Sequence, residues 1–128
     1  MDGLFSDFGF NEGTDQEIYE VNGVALPGEY LQFMHEHDGG EGDVGENSYM
    51  QLFRLGELQQ INDEYQVREY MDDYYIWGTD LGGMLFGYSS RTGLYSAVDS
   101  CSLCEDDIMC ESDSLYGFFV SYDRAMEV

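Results

Sequence analysis

Lysine is absent from this chain, and arginine occurs four times, at Arg54, Arg68, Arg91 and Arg124. Against them stand 27 acidic residues, so the formal charge is −23 over 128 residues. A surface of that sign repels nucleic-acid phosphate and anionic lipid, which argues against both as partners. The missing lysine also removes the cation that a phosphate-binding loop needs, and the glycines of "WGTDLGGMLFG" match no dinucleotide or phosphate fingerprint. No apolar run approaches membrane-spanning length. The opening "MDGLFSDFGF" is acidic, with no unbroken apolar core of the kind a secretory leader carries. Cysteine occurs three times, an odd number that suits a reducing compartment better than a disulfide framework. Together these absences predict a cytoplasmic protein.

What is present argues for a folded domain. Hydrophobic residues make up 43% and aromatics 16%, too many for a disordered acidic chain. A length of 128 residues suits one domain, 1–128, able to bury a core without metal or disulfide. Residues 1–13 carry Leu4, Phe5, Phe8 and Phe10 among glycine and aspartate without a period, and read as an arm that either docks or moves. "DQEIYEV" (15–21) fits a short strand or one helical turn equally well.

From Leu26 the pattern sharpens. Pro27 suits a first helical position, and Leu26, Tyr30, Phe33, Met34 and His37 follow at helical spacing until Gly39 and Gly40 stop the helix. "EGDVGENS" reads as a polar loop, "SYMQLFRL" (48–55) as a strand, and "GELQQINDEYQVREYM" as one or two short helices with Leu58, Ile61, Tyr65 and Arg68 on one face. "YYIWGTD", "GMLFGYS" and "GLYSAVD" are strand-like runs split by "DLGG" and "SRTG", which predicts an antiparallel β-meander. Ser112, Asp113 or Ser114 can cap a last helix whose Leu115, Phe118, Phe119, Tyr122 and Met126 form one apolar face. The fold class expected is α+β: a single domain with a mixed or mostly antiparallel sheet, a central meander and packed N- and C-terminal helices.

Catalytic and metal signatures are weak. His35 and His37 stand two apart, so on a helix they point apart. Cys101, Cys104 and Cys110 lack a fourth zinc ligand, and Glu105, Asp106 and Asp107 beside them would hold a thiol protonated. From Asp38 a calcium loop fails, because glycines fall where ligands belong. With 27 carboxylates, pairs such as Asp72 and Asp73 arise by chance. No enzyme, metal or cofactor is expected. Surface acids beside aromatics suggest instead a protein-binding face, with Asp72, Asp73, Glu105, Asp106 and Asp107 as its charge and Tyr74 or Tyr75 as its anchors.

These segments, in order, resemble the SUKH superfamily, which includes bacterial immunity proteins and a fungal regulator of cell-wall assembly. "LPGEYLQFMHEHDGGEG" is similar to its Leu-Pro…Tyr helix and Asn-Gly-Gly turn, with Asp38 where asparagine is usual. "LFRLGELQQINDEY", "IWGTDLGGMLFGYSSRTGLYSAVD" and "SDSLYGFFVSY" resemble its later segments, so the likeness runs from Leu26 to about Tyr122. No clear helix precedes Leu26, unlike many members. The resemblance implies an α+β fold and a protein-binding role, commonly neutralisation of a toxin by its immunity protein. The charge independently suits capture of a basic protein, such as a nuclease toxin domain. The other reading is a regulatory or scaffold domain with a non-toxin partner, its acidity serving solubility.

Overall fold

The phenylalanines at the start of the chain have a partner in the sheet. In the computed structural model, which describes residues 3–126, Phe8–Phe10 form the edge strand β1. Met1 and Asp2 of the expected arm, and the last two residues of the chain, lie outside the described residues. Next comes a small hairpin, β2 (Glu20–Val21) and β3 (Val24–Ala25), turned at Asn22-Gly23 with φ of 60° and 80°. Both values are positive, as a two-residue hairpin turn of this kind requires, and Asn-Gly is the pair that adopts it most readily. Helix α1 (Gly28–Glu36) follows, with Pro27 at its boundary, one residue outside the first turn.

The sheet proper is then built in chain order. It comprises β4 (Gly40–Val44), β5 (Ser48–Leu52), β6 (Tyr74–Thr79), β7 (Met84–Ser89), β8 (Leu94–Asp99) and β9 (Ile108–Ser112), each antiparallel to the next. With β1 beside β4, the sheet has seven strands in the order β1-β4-β5-β6-β7-β8-β9. Between β5 and β6 lie α2 (Leu58–Glu64) and α3 (Val67–Tyr70), broken at Gln66, whose φ is 55°. Helix α4 (Leu115–Ala125) closes the chain, with the Ser114 hydroxyl accepting the Gly117 N–H at 3.0 Å. The protein is thus a single α+β domain with a fully antiparallel seven-stranded sheet.

Strand β4 corrects the loop expected at 41–48. Its inward positions are Gly40, Gly42 and Val44, its outward ones Glu41 and Asp43, so the strand alternation is present without the usual large apolar residues. The inward side is filled from the neighbouring strand: a Cβ at Gly40 would sit 2.7 Å from the Phe8 ring. Gly39 makes the turn into this strand at φ 78°, where a Cβ would fall 2.4 Å from the Leu52 carbonyl oxygen. The Asp-Gly-Gly corner is therefore framework. Asp38 itself is buried; its Oδ1 accepts the Leu55 N–H at 2.8 Å and its Oδ2 lies 3.6 Å from the Arg54 guanidinium.

Both faces of β6 to β8 are buried. Tyr75, Trp77, Phe86, Tyr95 and Ala97 face the main core beneath α1 and α4, where Tyr30, Phe33, Met34, Phe118 and Phe119 meet them. Tyr74, Ile76, Leu85 and Val98 face a second cluster with Val67, Met71 and Leu103. From the apolar faces expected of the first and last helices, Tyr30, Met34, Leu115, Phe119 and Tyr122 are all buried. The single helical face expected for Leu58, Ile61, Tyr65 and Arg68 is broken by the left-handed Gln66: Leu58 is buried, while Tyr65 and Arg68 are exposed.

Where β5 leaves β6, two asparagine side chains replace a strand. Asn62 donates from Nδ2 to the Ile76 carbonyl at 3.0 Å and to the Leu58 carbonyl at 2.8 Å, and its Oδ1 accepts the Ile76 N–H at 2.8 Å. Asn22 donates from Nδ2 to the Tyr74 carbonyl at 2.9 Å. Backbone groups that would otherwise be buried without partners are satisfied this way.

Candidate functional site

Surface charge follows directly from the fold. Of the acidic residues with described side chains, Asp38 is buried and Asp80 and Asp123 are half-buried; every other one is exposed. The half-buried pair is structural. Asp80 accepts the Gly82 and Met84 N–H groups at 2.7 and 3.0 Å and the Tyr122 hydroxyl at 2.7 Å. Asp123 accepts the Asn47 N–H at 2.8 Å and the Ser48 hydroxyl at 3.1 Å.

The expected binding residues divide. Asp72 and Asp73 are exposed on the turn into β6, with Asp73 at φ 59° and its carbonyl accepting the Ser90 N–H at 2.8 Å. Asp106 and Asp107 are exposed on a 3-10 turn (Glu105–Asp107) before β9; the Glu105 side chain lies outside the described residues. Tyr74 and Tyr75 must be corrected: both are fully buried, on opposite faces of β6, and present no ring to a partner. Successive residues of the strand alternate between its faces, and both faces are covered. The Tyr74 hydroxyl bonds to Ser96 at 3.0 Å, and burial pushes the Tyr75 phenol far above its usual range. Asp72 also shares a cleft of about 160 Å³ with Arg91, Ser96 and Glu111, so charge of both signs lines this region.

The exposed aromatics stand elsewhere. Cross-strand pairing in β4 and β5 sets Glu41 opposite Gln51 and Asp43 opposite Tyr49, all pointing away from the main core. The Tyr49 hydroxyl donates to Glu41, a bond that together with partial desolvation and the two nearby carboxylates raises the phenol's pKa. Continuing across the sheet, Tyr65, Tyr70 and Leu81 are exposed as well. Composition alone could not separate these tyrosines from the buried ones. The period-two pattern could have done so for Tyr49, which alternates with inward Ser48 and Met50.

The histidines and cysteines are placed as single residues. His35 is exposed with its Nε2 3.2 Å from the Gln16 carbonyl oxygen, while His37 is half-buried and stacked on Phe10 with ring centroids 4.1 Å apart. Cys101 is exposed, and Cys104 and Cys110 are half-buried, where burial pushes the Cys110 thiol up. Replacing all three by serine is expected to move the melting temperature by only a few degrees, equivalent to about 1 kcal/mol in a domain of this size. A loss of cooperative unfolding, or stoichiometric zinc in protein purified without added metal, would show that the thiols hold the fold.

No family model matches the chain, and no curated protein matches it. Among the described residues no helix is long and apolar enough to cross a membrane.

Proposed function

We propose that this domain is a non-enzymatic binding protein of the SUKH type that neutralises a basic cognate toxin domain, such as a nuclease, through its acidic surface. The observation supporting it is the distribution of charge: carboxylates cover the exterior, no lysine offsets them, and the interior uses only a few for framework. A field of this sign accelerates encounter with a cationic partner. Exposed charges contribute little to final affinity, so the bound state needs a desolvated apolar centre as well. Asp72, Asp73, Asp106 and Asp107 remain candidates for the charged rim, joined by Glu41 and Asp43.

The test is capture of the partner from the source cell, followed by association kinetics across a salt series. The expected partner is basic, is inactivated at one-to-one stoichiometry, and binds with an on-rate that falls steeply as salt rises. Neutralising Asp72→Asn and Asp73→Asn together should slow association severalfold without unfolding the domain, since asparagine also tolerates the left-handed backbone at position 73. A neutral or acidic partner, or an on-rate indifferent to salt, would defeat the electrostatic reading. A basic partner that binds tightly but keeps its activity would instead favour a regulatory or scaffold role.

A further inference from the structure

Leu81 is a large apolar side chain left exposed on a turn that Thr79 and Asp80 hold through its own N–H and those of Gly82 and Met84. It sits at the tip of the β6–β7 hairpin with φ of 63°, a left-handed conformation that strains a bulky side chain, and its side chain is 59% exposed. A turn of this geometry favours glycine or asparagine. Strain at an exposed apolar residue points to a use outside the domain's own packing.

What surrounds it gives that use a shape. Leu81 borders a cleft of about 360 Å³ whose apolar lining is Phe53, Ile61, Tyr65 and Leu85, the open margin of the second core cluster. Phe53 and Ile61 are half-buried there. On the far side of Tyr65 lies a second cleft of about 280 Å³ with Tyr70, Cys101 and Leu103 in its wall. Glu64, Tyr65 and Ser100 line both, so the two adjoin and form one trough. Among the described residues Glu64 is the charged residue of both linings, and Glu41 extends the acidic border past Gln51, with Arg54 in the adjoining cleft.

We propose that this trough is the docking surface for the basic partner, receiving an apolar side chain beside Leu81 and Tyr65 while flanking lysines or arginines face Glu64 and Glu41. The inference rests on the basic-partner reading and adds to it a place and a required apolar anchor. Charge complementarity selects this occupant: Glu64 and Glu41 attract a cationic segment, Arg54 beside Glu41 is held toward the buried Asp38, and the exposed tyrosine faces offer cation–π contacts. The apolar floor supplies the desolvated centre that the acidic rim lacks.

The test uses the full chain, isotopically labelled, and two synthetic probes of equal charge: a peptide alternating lysine and leucine, and one alternating lysine and serine. The lysine–leucine peptide should bind saturably and shift the amides of Tyr65, Leu81 and Ser100, at least tenfold more tightly than the lysine–serine peptide. Leu81→Asn should weaken that binding at least tenfold while leaving the melting temperature unchanged or raised, because asparagine relieves the strain. Saturable binding that maps to Asp72, Asp73, Asp106 and Asp107 would overturn the trough and leave the basic-partner reading standing. No saturable binding of either peptide at low salt would defeat both. Concentration-dependent dimerisation that buries Leu81 would replace the proposed occupant by a second copy of this chain.

Discussion

Phe119→Ala is expected to destabilise the folded domain by about 3–5 kcal/mol, the cost of deleting a fully buried ring from a packed core. The ring lies at the centre of the main core. It meets Phe5 at 5.0 Å, Trp77 at 5.9 Å, Phe33 at 6.0 Å and Phe118 at 6.1 Å between centroids. Those four partners come from the N-terminal segment, β6, α1 and α4, so one substitution loosens four parts of the fold. Natural domains hold only about 5–15 kcal/mol in total, so the variant should be partly unfolded at physiological temperature. Urea denaturation followed by tryptophan fluorescence measures it, with Tyr116→Ala from the exposed side of the same helix as a near-neutral control. A loss under 1 kcal/mol for Phe119→Ala would mean that α4 does not pack where this fold places it.

Asn62→Ala is the second large effect, and its origin is polar. The side chain makes both hydrogen bonds to the Ile76 backbone, at 3.0 and 2.8 Å, in a position buried from solvent. Truncation leaves an N–H and a C=O unpaired in the interior, each costing about 1–3 kcal/mol. The damage is local before it is global. The Ile76 amide, protected in the parent protein, should exchange with solvent at least tenfold faster in the variant, while amides of the β7–β8 hairpin change only as far as overall stability falls. Asn62→Asp keeps the acceptor for the Ile76 N–H but turns a buried carboxylate toward the Ile76 and Leu58 carbonyls, and should destabilise the domain at least as much as Asn62→Ala at neutral pH. Equal protection of Ile76 in parent and Asn62→Ala would show that another group satisfies this strand edge.

The meander and the two long helices were legible because their information is local: aromatic runs between turn residues, and apolar residues at spacings of three and four. The misreadings share a different cause. In β4 the apolar surface belongs largely to Phe8 and Phe10, which pair with Gly42 and Gly40 from far earlier in the chain, and two of the strand's three inward positions are glycine. The break between α2 and α3 rests on Gln66 adopting a left-handed backbone, which glutamine does not advertise. Asn22-Gly23 was a legible hairpin signal immediately after a stretch, 15–21, that suited strand or helix equally. The candidate site was legible in its sign and only partly in its place. The acids at 72, 73, 106 and 107 do reach solvent, but whether a sheet is covered on one face or two is a tertiary property. That property buried Tyr74 and Tyr75 and left Tyr49, Tyr65 and Leu81 outside.

The order of strands along the sheet, matching the order along the chain from β4 to β9, bears on how the molecule is made. Each of these strands can pair with the one synthesised just before it, so most of the sheet assembles through short loop closures, and chains dominated by such contacts fold quickly. Two pieces break that rule. Strand β1 must wait for β4, and the main-core face of the sheet stays uncovered on one side until α4, the last helix, has been made. On the ribosome, the second cluster can therefore close first, while Trp77 and Phe86 remain open to other chains until Phe118 and Phe119 arrive. A chain truncated before Leu115 is accordingly expected to aggregate more readily than the full domain, and the like charge of its acidic exterior to oppose that association.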